Sequence, residues 1–186
     1  MTELSVTPVP LPPALEHFVL HWGDMGGQWG VNRSVSQIHA LLYVSERPLT
    51  AEDIAEALGL ARSNVSNSIK ELIGWELIRR VPVKGDRREH FEAETDVWEM
   101  AARIAKGRKA REVDPAVTHL KASIAEAAGD PAVSRVAMQR LHAMLAFTEA
   151  VDAWTTQMLS VPRTRLAAAM KLGVKVLSFI PQGKSK

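Results

Sequence analysis

The chain contains no cysteine, and that absence removes several kinds of chemistry at once. Disulfide frameworks, Cys-ligated zinc, iron–sulfur clusters, thiol nucleophiles and thiol redox switches all need a residue this sequence lacks. Aromatic residues are scarce too, at 5% with a single tyrosine, so a site walled by rings would have to draw on five tryptophans and four phenylalanines. No apolar run approaches the ~18 residues that suggest a membrane-crossing helix. Residues 1–13 show neither the basic start nor the apolar stretch of a secretory signal, so a cytoplasmic protein is expected.

What is present is ordinary globular composition: 186 residues, 46% hydrophobic and 24% charged. That suits one domain or two small ones with a real core. The net charge of +2 averages over unlike regions. Residues 1–61 carry two basic side chains against seven acids, whereas residues 163–186 carry six basic side chains and no acid. Between them, Arg79, Arg80, Lys84, Arg87 and Arg88 face Asp86 alone within ten residues. A basic cluster is usually solvated surface. It becomes a nucleic-acid footprint when it sits on an element shaped to meet a phosphate backbone.

Periodicity supplies that placement. After a Pro-rich arm, Pro13 opens a helix in which Leu15, Phe18, Val19, Trp22 and Met25 share a face, with Gly26-Gly27 expected to end it. Ser34 to Gln37 reads as a capping box starting a second helix (Ile38, Leu41, Leu42) that stops at Glu46-Arg47-Pro48. Thr50 to Asp53 is another capping box, opening a short helix that closes at Gly59. A fourth helix, with Val65, Ile69 and Leu72 inward, follows within a few residues and closes near Gly74; its start is open, with Ser63 a candidate cap. Two short helices joined by a tight turn are the helix-turn-helix signature. Residues 77–83 and 88–93, separated by Lys84-Gly85-Asp86, then form a β-hairpin with a basic tip.

Everything beyond is expected to be helical. One pattern runs from near Thr95 to Ala128 with a break at Asp114-Pro115. Gly129-Asp130-Pro131 should separate it from a long helix ending at Val161-Pro162. A last amphipathic piece holds Leu166, Met170, Val174 and Leu177.

Helices followed by an arginine-tipped hairpin have the order of a winged helix-turn-helix, whose second motif helix enters the major groove while the wing meets the backbone or minor groove. The fold class expected is mainly α: a three-helix core, a two-stranded β-wing and additional long dimerisation helices. With Val65, Ile69 and Leu72 inward, Asn64, Ser66, Asn67 and Lys70 are left on the outer side, where amide, hydroxyl and ammonium groups suit bases or phosphates. Ser63 from the same helix, with Lys84, Arg87 and Arg88 from the wing, completes the candidate DNA-binding set.

The run Leu58-Gly59-Leu60, Ser63 to Leu72, Gly74-Trp75, followed by Gly85-Asp86-Arg87-Arg88-Glu89-His90-Phe91, resembles the MarR-type winged-helix repressors, and more narrowly their GbsR branch. The likeness covers about Ser34 to Trp98, with the Asp-Arg-Arg wing motif its most specific part. It implies a homodimer built from the N- and C-terminal helices, a pseudopalindromic double-stranded DNA operator, a repressor role and a small-molecule effector. It also implies that Arg87 or Arg88 is the minor-groove contact, with Asp86 orienting one of them. The organisation that follows is 1–33 as arm and first dimerisation helix, 34–94 as the DNA-binding domain, 95–180 as the helical dimerisation region and 181–186 as a polar basic tail.

The effector itself is unassigned. A quaternary ammonium would need an aromatic cage; Trp22, Trp29, Trp75, Trp98 and Trp154 are candidate walls, although core packing is the commoner role, above all for Trp75 and Trp98. His17, His21 and Asp24 share a helical face in metal-ligand spacing, but lie opposite the apolar stripe and read as a solvated face. No nucleophile elbow, P-loop, dinucleotide fingerprint or paired-carboxylate pattern occurs, so neither enzyme activity, metal nor cofactor is expected. The alternative is a winged helix acting as a protein–protein module without operator-specific DNA binding. An acid-free C-terminal segment could also lie on a membrane surface.

Overall fold

The computed structural model describes residues 11–162, 164–166, 168 and 172. The arm before residue 11, the tail 181–186, and Met170, Val174 and Leu177 of the last amphipathic piece lie outside the described residues. The chain divides into two compact units after Arg103.

In the first unit, α1 (Pro13–Gln28) starts with proline at its first position, where the missing N–H costs nothing. It does not stop at Gly26-Gly27. Those glycines are inside the helix, and a Cβ built on Gly23 or Gly26 would collide with Gln37 or Ser36 of α2 (Arg33–Val44). Glycine here permits close approach of two helices rather than a stop. The cap of α2 is also not the expected one: Asn32 caps the helix, its Oδ1 accepting from Ser34 N–H at 2.8 Å, and the Ser34–Gln37 capping box is not made.

The next start is as expected. Thr50 Oγ1 accepts from Asp53 N–H while the Asp53 carboxylate accepts from Thr50 N–H, opening α3 (Ala51–Leu58). Gly59, at φ +62°, supplies the left-handed residue that ends it. Helix α4 (Arg62–Gly74) begins after Ala61 with no side-chain cap, so Ser63 lies inside the helix. Ile38 of α2, Ile54 of α3 and Val65 of α4 are each 0% exposed and form the centre of the core.

The hairpin comprises β2 (Ile78–Val83) and β3 (Asp86–Ala93), joined by Lys84-Gly85 with Gly85 at φ +87°. The sheet has three strands rather than two: β1 (Leu49–Thr50) pairs antiparallel with β3, Leu49 opposite Phe91 and Thr50 opposite His90, giving the order β1-β3-β2. Two residues give too short an alternation to announce a strand in the sequence. At the wing base, Glu76 has a positive φ of 58° and its carbonyl accepts from Arg103, whose guanidinium also meets Glu94 at 3.1 Å and Glu99 at 2.9 Å.

Helix α5 (Val97–Arg108) leads into the second unit. The expected break at Asp114-Pro115 takes the form of a π-helical turn over Lys109–Val113, directly before α6 (Asp114–Ala127). Pro115 has no N–H to offer the Arg111 carbonyl and its ring crowds it. The ladder widens instead, and Asp114 N–H bonds to the Lys109 carbonyl. Lys109 Nζ meets Asp114 at 2.6 Å and Asp152 at 2.7 Å, which raises the lysine pKa. Asp130 caps no helix; its carboxylate accepts from Ala132 N–H in a turn, and α7 (Arg135–Ser160) starts at a Ser134 cap. Val161-Pro162 follows its end as expected. Helix α7 packs along α6, yet none of the described residues beyond Arg103 is buried.

Candidate nucleic-acid interface

Helix α4 turns Val65, Ser68, Ile69 and Leu72 into the core, so its opposite face carries Ser63, Ser66, Asn67 and Lys70, all exposed. Asn64 departs from the expected set. It is half-buried, its Nδ2 donates to Ser34 Oγ at 2.9 Å, and its Oδ1 accepts from Ser68 Oγ at 3.4 Å. Its amide ties α4 to α2 instead of facing outward.

The wing sorts its cations in a way the linear cluster hides. Arg79 pairs with Glu92 at 2.6 Å and Arg80 with Glu89 at 2.9 Å. Arg88 lies on Asp86, its Nη2 2.5 Å and its Nε 3.0 Å from Oδ2, while Arg88 N–H donates to Oδ1 at 3.0 Å. The arginine holds the Asp86 carboxyl well below the usual carboxylate range, and the carboxylate raises the Arg88 pKa in return. Asp86 therefore orients Arg88. The register of β3 against β2 shifts between the Val81–His90 and Val83–Asp86 pairs, so the residues of the tip do not alternate simply between two faces. Lys84 and Arg87 are exposed at the tip.

Ser66 and Lys70 of α4 and Arg88 of the wing line one open cleft of about 300 Å³. Arg80, Glu89 and Glu52, at the start of α3, line it too. Sequence reasoning missed the two carboxylates. Glu89 is placed by its pairing with Arg80 across the hairpin, and Glu52 by the capping-box start of α3. Ser63, Asn67, Lys84 and Arg87 do not line this cleft. The arrangement offers hydroxyl, ammonium and guanidinium donors on a helix and a hairpin side by side, a donor set suited to phosphate and base edges.

Elsewhere the candidate features separate. Asp24 pairs with Arg33 at 3.0 Å, and among the described residues no group of His, Asp and Glu could hold a metal ion. Trp22 stands 5.6 Å from Phe18, ring to ring, on α1. Trp75 is half-buried, as packing predicts, whereas Trp98 is exposed, as are Trp29 and Trp154.

Three helices with a hairpin beside the last define a winged helix-turn-helix. Residues 29–89 match the sequence profile of the MarR family. Over 86 residues, 46% of this chain, it is 23% identical to two proteins of Bacillus subtilis (strain 168). These are the putative HTH-type transcriptional regulator YvaV and the HTH-type transcriptional repressor OpcR. The chain spans about half the length of these curated relatives: 49% of the first and 46% of the second. Its fold is similar to the crystal structure of a transcriptional regulator, with a TM-score of 0.63 and 19% identity, over 79% of this chain and 96% of that one. No helix among the described residues is long and apolar enough to cross a membrane.

Proposed function

We propose that the chain is a sequence-specific, double-stranded-DNA-binding transcriptional regulator. It acts as a homodimeric repressor under the control of a small-molecule effector, within the GbsR branch of MarR-type proteins. The observation that carries this reading is the shared cleft of α4 and the wing, where Arg88 is held ready by Asp86 beside Ser66 and Lys70. Ser63, Ser66, Asn67 and Lys70 meet the major groove. Arg88 enters the minor groove, and Lys84 and Arg87 contact the flanking phosphates. The Asp-Arg-Arg wing sequence supports the GbsR assignment, and the names of the two relatives support a regulatory role.

Homodimerisation is supported by the second unit, whose described residues include none that is buried. Helix α7 leaves Val136, Met144, Phe147 and Trp154 exposed, and the last three recur at the spacing of one helical face. Such a face is stabilised by burial against a second copy.

Selection of bound fragments from the source genome, followed by mobility shifts at rising salt, tests the reading. Affinity for selected fragments should fall steeply with salt, because each neutralised phosphate releases counterions. Equal binding to every fragment, or none, would refute operator recognition.

A further inference from the structure

His90 is the one histidine of the wing, and its surroundings pose a valence problem. The side chain is 6% exposed, on β3 four residues from Asp86 and two from Arg88. Its Nδ1 lies 3.0 Å from the Arg88 carbonyl oxygen, and its Nε2 lies 3.5 Å from Asp86 Oδ2. Both neighbours are acceptors. A neutral imidazole has one N–H and one lone pair, so either tautomer leaves a lone pair against an oxygen. Only the imidazolium turns an N–H to both, as a hydrogen bond to the carbonyl and an ion pair with the carboxylate.

Both acceptors belong to the device that aims the wing arginine. The carbonyl is that of Arg88 itself, and Oδ2 is the oxygen bonded by Arg88 Nη2 and Nε. We propose that His90 is a positioning residue for Arg88: as an imidazolium it clamps the Asp86 carboxylate from behind and the Arg88 backbone from below, fixing the guanidinium in the cleft it shares with α4. The inference rests on the DNA-binding reading. It adds proton-dependent reinforcement of the wing, with tighter DNA binding as the solution becomes more acidic.

Other charges around the strand have their own engagements. On β2, Arg79 and Arg80 pair with Glu92 and Glu89. On α3, Asp53 is bonded to Thr50 N–H, and the charges of Asp53 and Glu52 act on Arg88. Glu56 of α3, with Tyr43, the buried His39 and the Asp24-paired Arg33 of α2, completes the titratable groups of those helices. Thr50 and Val81, opposite His90 in the neighbouring strands, carry no charge. Asp86 is therefore the carboxylate paired with His90.

The test is DNA affinity from about pH 8 to about pH 6, the range in which imidazoles change charge. It compares the parent, His90→Gln, Arg88→Ala and the double variant, all as full chains. The parent should gain affinity severalfold on acidification, and both single variants should lose that gain. If Arg88→Ala keeps it, the proton acts as bulk charge and the positioning role is overturned. If His90→Gln keeps it, another group titrates. Ring-nitrogen NMR of the free protein supplies a second measurement that needs neither DNA nor a folded variant. Protons on both His90 nitrogens at about pH 6 support the clamp; a single neutral tautomer there overturns it. Absence of all DNA binding would sink the functional reading while the NMR result still decided the clamp.

Discussion

Arg88 and Asp86 stand two residues apart on β3, and their fork of contacts at 2.5–3.1 Å makes one arginine of the wing directional, while its neighbour Arg87 is exposed at the tip. A guanidinium held by a carboxylate is already ordered before DNA arrives, so less side-chain freedom is lost on binding. The two arginines are therefore expected to fail differently.

Arg88→Ala and Asp86→Asn should each weaken operator binding, by about tenfold or more for the arginine. Asp86→Asn keeps the cation but releases its aim, so its loss should appear chiefly in discrimination between operator and random DNA. Arg87→Ala should weaken all sequences alike and reduce the salt slope by about one counterion. Equal behaviour of all three in mobility-shift titrations would show that Asp86 does not aim Arg88.

Asn64 and Asn67 sit on one helix turn and should separate cleanly. Asn67→Ala should alter preference at one or two operator positions and leave stability nearly unchanged. Asn64→Ala breaks the ties to Ser34 and Ser68 and should cost about 1 kcal/mol of stability, read as a lower urea midpoint, with operator preference retained. A selection experiment in which Asn64→Ala changes the preferred bases would return that residue to the reading face.

The contact between α1 and α2 gives a pair of substitutions with opposite signs. Gly26→Ala drives a methyl into Ser36 and should destabilise by about 1–3 kcal/mol. Gly27→Ala meets nothing within 4 Å and should stabilise by about 0.5–1 kcal/mol, as alanine does in a helix interior. Matching unfolding midpoints for the two variants would contradict the close approach.

His39 gives the fold an acid limit. Burial pushes its pKa from 6.5 down to about 4, and its Nε2 has no hydrogen-bond partner among the described residues. Above pH 6.5 the ring is neutral in both folded and unfolded chains, so it adds no pH dependence there. Between 6.5 and about 4 the unfolded chain takes up the proton first, and stability falls with pH at up to about 1.4 kcal/mol per unit. His39→Leu should remove that part of the acid slope in denaturant unfolding at about pH 5 against about pH 7.5. An unchanged slope would place the acid sensitivity elsewhere.

Much of the fold was legible because its signals are local. Thr50-to-Asp53 capping, Pro13 at a helix start and the alternation of the hairpin are each satisfied within a few residues. The misreadings share one cause. Gly26 looked like a helix stop, Ser34 like a cap and Asn64 like an outward amide. Each is decided by a neighbour on another element or by a competing cap two residues earlier. The cleft carboxylates Glu52 and Glu89 escaped notice for the same reason, since the cleft joins three elements.

From order and spacing alone, the chain determines a helix-turn-helix with an arginine-bearing hairpin, and its 186 residues offer no cysteine thiol. Hydrophobic period and capping act along the backbone, so one dimension is enough to show them. Tertiary structure decided which cations remain for a partner. Pairing Arg79 with Glu92, Arg80 with Glu89 and Arg88 with Asp86 depends on strand register and side-chain face. The same geometry set His90 between two acceptors, because ion pairs and hydrogen bonds depend on distances of a few ångströms that residue order does not contain.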